Sequence, residues 1–199
     1  MNNQEIRHAM SKPKERLFLN VCAHLSVMQE LMSSSSKRMT NQELALRFFS
    51  FYLLDYEQTK KNLAHFLDAG LAELSRKTKS EQEELVQLFS EALCTAKEIF
   101  GDRAFEKQIT EDTNKRRKNS SLFEVWTVTL AECTLEEREY LIQHRELLKA
   151  GFNRLLSEKQ NDIDSNTFFD AISYHTQKSE NVRLRYAKIN QLIKEVLNA

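Results

Sequence analysis

The chain has 199 residues, a net charge of zero and a pI near 7, so its overall charge creates no field that would attract nucleic acid or an anionic membrane. It contains only 3 glycines and 1 proline, where average usage would give about 14 and about 10. Strands, hairpins and phosphate-binding loops need glycine, so this composition favours an all-helical chain. The length suits one domain with a sizeable core, and we predict a single helical domain over residues 1–199.

The distribution of cysteine and histidine argues against a metal site or a disulfide framework. Cys22, Cys94 and Cys133 are widely separated, which is typical of reduced thiols in the cytoplasm. The 5 histidines show no metal-ligand spacing, and no glycine-rich nucleotide motif occurs. No apolar run is long enough to span a bilayer, so we expect no membrane partner. We predict no metal, no cofactor and no active site made wholly within this chain.

The first predicted helices surround Pro13. A short helix precedes this residue, because the position before proline disfavours helical geometry. A second helix is predicted from Pro13 to Leu31, with Leu17, Cys22 (or Val21), Leu25 and Met28 along its buried stripe. A polar link over residues 33–36 then leads into the next helix.

The helix predicted over residues 41–54 is apolar on almost every side. Thr40 with Glu43 forms a capping-box signature at its start. A soluble helix of this kind is buried, so we predict that the domain is organised around it. Glu43 and Arg47 stand four residues apart and are predicted to pair along a narrow polar seam. A buried Arg47 would require such a carboxylate partner.

The remaining chain predicts further helices, to a total of about eight. One runs from Leu63 to Leu74 with an interruption at Gly70, and the next ends at Gly101 as its C-terminal cap. Residues 122–130 are rich in β-branched side chains but are assigned to a helix, because the chain supplies no partner strand. Later helices are predicted to start at Ser120 or Ser121, at Thr134 with Glu137 as a capping box, at Ser165, and at Ser179 or Glu180.

Two features are candidates for binding. Four consecutive cations, Lys115, Arg116, Arg117 and Lys118, could neutralise DNA phosphates. The alternative interpretation is a solvated loop. No aromatic residue is interleaved with this run, so stacking on unpaired bases is not indicated. Near the C-terminus, Thr176 and Arg185 could hold the preceding loop against the core or contact a ligand.

A series of motifs occurs in order along the whole chain. They are Asn2-Asn3-Gln4-Glu5-Ile6-Arg7, Arg38-Met39 followed by Glu43-Leu44, Leu46-Arg47-Phe48 and Phe51-Tyr52, Phe66-Leu67, Ile99-Phe100-Gly101 with Ala104-Phe105, Asn119 with Leu122-Phe123-Glu124, Ile172-Ser173 with Thr176, and Val182 with Arg185-Tyr186. This set resembles the GmrSD-type restriction endonuclease family. It is similar to the C-terminal helical part of the S-subunit-like domain, which has a ParB/sulfiredoxin-like N-terminal part.

The resemblance implies a role in phage defence. Members of the family use nucleotide hydrolysis and DNA cleavage against modified phage DNA, with chemistry attributed to an N-terminal Asp-Gly-Gln-Gln-Arg motif. That motif does not occur here, so no catalytic residue is carried over. The family-motif residues are expected to be structural or to lie at an interface; they are Glu5, Arg7, Arg38, Glu43, Arg47, Asn119, Thr176 and Arg185.

The resemblance also implies a partner. In the family the segment matching residues 2–7 lies inside the protein, after the catalytic half. We therefore expect this chain to be a truncated, split or internally initiated piece that supports a catalytic N-terminal half or a nearby nuclease subunit, with DNA as a further partner. Two alternatives are a stand-alone helical interaction module and a weak DNA-binding protein that uses Lys115 to Lys118.

Overall fold

The computed structural model describes residues 13–32, 40–56, 62–107, 117–158 and 166–199. The all-helical prediction is confirmed: these ranges contain ten α-helices and one short 3-10 helix, Gly101–Arg103. The helices are α1 Pro13–Ala23, α2 Ser26–Met32, α3 Thr40–Leu53, α4 Leu63–Arg76, α5 Lys79–Phe100, α6 Ser120–Glu132, α7 Leu135–Gln143, α8 Arg145–Ser157, α9 Phe168–Ala171 and α10 Ser179–Leu197. Within these ranges, β-pairing is limited to an isolated bridge between Glu106 and Lys118.

The chain divides into two compact units, residues 1–94 and residues 95–199. The helix α5 contributes residues to both units. The single-domain organisation stays a prediction. No helix in the described ranges is both long enough and apolar enough to cross a membrane.

The helix predicted from Pro13 to Leu31 is in fact two helices, α1 and α2, separated at His24 and Leu25. The predicted buried stripe is also wrong at Leu17, which is 65% exposed, whereas Cys22 is fully buried. The buried residues of α1 include Phe18 and Cys22, so the buried face of this helix passes through Phe18 and not through Leu17.

The first unit is built on contacts of α3 with α1 and α4. Residues 44–50 of α3 are all buried, as its apolar sequence predicts. The rings of Phe48 and Phe49 lie 4.7 and 5.4 Å from the ring of Phe89 in α5, between centroids. An aromatic cluster therefore forms the core of this unit. That α3 is the centre of the whole chain stays a prediction.

The interruption predicted at Gly70 does not occur, because α4 continues through it. Instead, this glycine allows α3 and α4 to approach closely. A Cβ atom at Gly70 would lie 2.0 Å from the Ser50 Oγ and 3.0 Å from the Ser50 Cα. The glycine is therefore explained by close packing between two helices and not by a break in one of them.

The second unit surrounds α6, in which every side chain from Ser121 to Ala131 is buried. The helix α10 contacts α6, α7, α8 and α9. Trp126 of α6 lies 4.8 Å from Phe100 and 5.3 Å from Phe152, between ring centroids. The helical assignment of this β-branched segment is confirmed.

Local capping signals identify several helix ends. Thr134 and Glu137 form the predicted capping box at the start of α7. Gly101 has a φ of 60° directly after α5, as predicted for a C-terminal cap. The predicted start at Ser165 lies outside the described residues, as does the short helix before Pro13. The helix α9 is capped by Thr167, which forms a capping box with Asp170.

Candidate functional site

A buried ion pair lies inside the second unit. Arg185 of α10 donates from Nε and Nη2 to the Glu124 Oε1 of α6, at 3.1 and 2.5 Å. The two side chains are 1% and 0% exposed. The Arg185 Nη1 also donates to the Thr176 backbone oxygen at 2.6 Å. Buried charges require this combination of an opposite charge and hydrogen bonds, because burial removes their hydration.

The residues from Ile172 to Lys178, here called the 172–178 loop, connect α9 to α10. Beside the contact of Arg185 with Thr176, the Asn119 Nδ2 donates to the Ile172 oxygen at 2.8 Å. The Asn181 Nδ2 donates to the backbone oxygens of Tyr174 and His175 at 3.0 and 3.2 Å. His175 has a φ of 47°, an unfavourable conformation for a residue with a side chain, and these bonds hold it there.

Asn119 joins three segments of this unit. Its Oδ1 accepts from the backbone nitrogens of Ser121 and Leu122, both at 2.9 Å, and so caps the buried helix α6. Its own backbone nitrogen donates to the Phe105 oxygen at 2.8 Å. The family motif included Asn119 but did not predict that it caps α6. An asparagine before a helix start is a recognised N-cap signal that could have predicted this role.

We expect Asn119→Ala to lower the free energy of unfolding by about 2 kcal/mol, because it removes both the cap of α6 and the donor to Ile172. Asn119→Ser is the control, since its hydroxyl restores the cap but is too short to restore the second bond. We expect it to recover about half of the loss. Urea unfolding followed by circular dichroism measures both variants. Equal stability of the alanine variant and the wild type would contradict this role.

The two described residues of the basic run, Arg117 and Lys118, lie in different environments. The Lys118 Nζ lies 3.2 Å from the Glu106 Oε1, and both side chains are 6% exposed. It also donates to the backbone oxygens of Asp102 and Ala104. The Lys118 ammonium group therefore points inward, and the DNA contact predicted for Lys118 stays a prediction. Arg117 is exposed, as predicted for a phosphate contact or a solvated loop.

Lys107 lies close to this run. Its Nζ donates to the Ser173 Oγ at 2.7 Å and stands 5.0 Å from the ring centroid of Phe169. Burial lowers the pKa of the Lys107 ammonium group, and the positive charge of Arg117 lowers it further. The antiparallel bridge between Glu106 and Lys118 also makes Lys107 and Arg117 neighbours on the two segments.

The other predicted site residues do not join this cluster. Glu43 and Arg47 lie on α3 in the first unit, where Arg47 is 6% exposed. The predicted ion pair between them does not form in the described part of the chain. Glu5, Arg7, Arg38, Lys115 and Arg116 lie outside the described residues. Across the described ranges, no group of three or more histidine, cysteine or acidic side chains is arranged to hold a metal ion.

The chain matches no family model, no curated protein and no solved structure significantly. The resemblance to the GmrSD-type family therefore depends on its motifs alone and stays a prediction. In the structure four of these motif residues lie at the 172–178 loop. Thr176 belongs to it, Asn119 and Arg185 donate to its backbone oxygens, and Glu124 pairs with Arg185.

Proposed function

We propose that this chain is the non-catalytic helical region of a GmrSD-like phage-defence protein, and that it supports a separate part that hydrolyses nucleotide and cleaves DNA. The observation that carries the proposal is the convergence of motif residues on the 172–178 loop. Asn119 and Glu124 lie at the start of α6, and Arg185 follows Glu124 by 61 positions in the sequence. Asn119 and Arg185 each donate to a backbone oxygen of this loop, and Glu124 holds the Arg185 side chain.

The chemistry of this network suits a structural role. Arg185 directs Nε, Nη1 and Nη2 at acceptors of the protein, and its side chain is 1% exposed. A guanidinium group that acts on a substrate must instead have a face open to it. The motif residues in this network therefore stabilise the helical region, and the chemistry belongs to the partner.

A supporting region must also present a surface to its partner. Leu17 and Val21 lie one turn apart on α1 and are 65% and 45% exposed. Residues at this spacing share one face of a helix, so the two side chains form a small apolar surface. We assign this surface to contact with the catalytic part.

We expect a tagged copy of the chain, purified from its native cells, to carry a protein with the Asp-Gly-Gln-Gln-Arg motif. Leu17→Glu combined with Val21→Glu should reduce its recovery at least about tenfold, since two charges would be buried in the contact. The matched control is Leu135→Glu with Leu147→Glu, which alters side chains that are 59% and 44% exposed in the second unit. Equal loss in both double variants would contradict this surface.

A stand-alone interaction module is the second candidate. Each unit contains its own aromatic cluster, one around Phe48 and Phe89 and one around Trp126 and Phe152, which supports folding without a partner. In this case the principal bound protein would lack the Asp-Gly-Gln-Gln-Arg motif. GTP hydrolysis or DNA cleavage by the purified chain alone would exclude both candidates.

A further inference from the structure

Lys107 and Arg117 form a positive pair whose neighbours are unusual. The Lys107 ammonium group is held by neutral partners, the hydroxyl of Ser173 and the ring of Phe169. Arg117 is exposed and is the neighbour of Lys107 across the antiparallel bridge between Glu106 and Lys118. Within the described ranges, neither cation has a carboxylate partner. Bringing two like charges together costs free energy, which binding of an anion would recover.

Two acidic residues of the described segments around this pair, Glu106 and Asp170, already have partners. Glu106 contacts the buried Lys118 ammonium group at 3.2 Å. Asp170 accepts from the backbone nitrogen and the hydroxyl of Thr167, at 3.0 and 2.7 Å, and these bonds lower the pKa of its carboxyl group. Both carboxylates therefore already have partners, and neither neutralises the positive pair.

The segments that carry this pair are fixed in place. Asn119 donates to the backbone oxygens of Phe105 and Ile172, two residues before Lys107 and one residue before Ser173. The isolated bridge between Glu106 and Lys118 joins the residues adjacent to Lys107 and Arg117. A site that is already positioned loses little conformational entropy when a ligand binds.

We propose that Lys107, Arg117 and Ser173 form a binding site for a phosphate group. The ammonium and guanidinium groups supply positive charge and donors, and the Ser173 hydroxyl can turn to donate to an oxyanion. Tyr174 follows Ser173 and is 62% exposed, so its ring is available to stack on a base attached to the phosphate. The phosphate comes either from a nucleic acid backbone or from a nucleotide.

The site differs from the run of four cations in the sequence. It excludes Lys118, which contacts Glu106 inside the protein. It includes Lys107, which lies outside the run, and Ser173, which is 66 positions from Lys107 in sequence. It does not depend on the supporting role proposed above, because that role is tested by partner recovery and this site by phosphate binding. Either can therefore fail alone.

The test is fluorescence anisotropy with a labelled 20-base-pair duplex and with single-stranded DNA of the same length, over a range of salt concentrations. We expect Lys107→Gln with Arg117→Gln to weaken DNA binding about tenfold and to reduce the salt slope by about 2. The matched control is Arg145→Gln with Lys149→Gln. It removes the same charge from α8, where both cations lie near Glu146, and should change affinity less than about twofold.

Competition with GTP identifies the source of the phosphate, and a single variant covers the case in which the double variant does not fold. Displacement of DNA by GTP, or binding of GTP without DNA, would assign the site to a nucleotide. DNA binding that GTP does not displace would assign it to the backbone. If the double variant does not fold, Arg117→Gln alone is used, since this side chain is exposed. Equal affinities of the Lys107 and Arg117 variant and the control variant, for both ligands, would overturn the proposal.

Discussion

We expect Glu124→Ala to lower the free energy of unfolding by about 3 to 5 kcal/mol. The substitution leaves the Arg185 guanidinium group buried at 1% exposure without the carboxylate that it now contacts through Nε and Nη2. Loss of this contact also weakens the hold of Arg185 on Thr176. Urea unfolding followed by fluorescence is well suited to this measurement, because the single tryptophan, Trp126, lies in the same helix.

Two controls isolate the cost of the buried charge. Replacing both partners, as Glu124→Leu with Arg185→Leu, should cost less than Glu124→Ala, since no charge is then left buried. Glu73→Ala breaks the ion pair with Arg76, whose side chain is 75% exposed, and should cost about 1 kcal/mol or less. Equal losses for Glu124→Ala and Glu73→Ala would contradict the cost predicted for leaving the Arg185 charge buried without its partner.

Gly70→Ala is expected to destabilise the chain by about 2 kcal/mol, although alanine is the better helix former by about 1 kcal/mol. The added Cβ would meet the Ser50 side chain and, at 3.0 Å, its Cα. A backbone atom cannot turn away, and the Ser50 hydroxyl is held by the Leu46 oxygen at 2.7 Å. The helices α3 and α4 would therefore have to separate. Thermal unfolding followed by circular dichroism measures the loss.

Gly151→Ala is the matched control for this prediction. There the new Cβ would meet the Leu192 Cδ1 at 2.2 Å, but that methyl group is the end of a flexible side chain. We expect the stability to stay within about 1 kcal/mol of the wild type, because helix propensity offsets the repacking. A Gly70→Ala variant as stable as Gly151→Ala would disprove the close approach of α3 and α4.

Local sequence signals predicted most helix ends. The capping box of Thr134 and Glu137, the cap at Gly101 and the start at Ser179 depend on neighbouring residues, so a single sequence contains them. The break at His24 was missed because apolar residues continue across it. Leu17 was predicted to be buried because helical periodicity places it on the apolar stripe of α1. Periodicity does not determine which edge of that stripe contacts the neighbouring helix.

The candidate sites were predictable only in part. The motifs marked Asn119, Thr176 and Arg185, but the pairing of Arg185 with Glu124 joins residues 61 positions apart and depends on how α10 packs on α6. Lys118 and Lys107 show the same limit. A run of cations predicts an exposed charge, whereas Glu106 draws Lys118 inward and Ser173 holds Lys107 beside Arg117. These contacts depend on tertiary packing, so the spacing of residues in the sequence does not predict them.

The most direct test of the proposed function is a reconstitution. The protein with the Asp-Gly-Gln-Gln-Arg motif recovered from native cells is assayed for GTP hydrolysis and DNA cleavage, with and without this chain. We predict no turnover by the chain alone and a rate for the partner that rises when the chain is added, with no rise for the Leu17→Glu and Val21→Glu variant. Turnover by the chain alone, or a partner rate that is the same without it, would contradict the account.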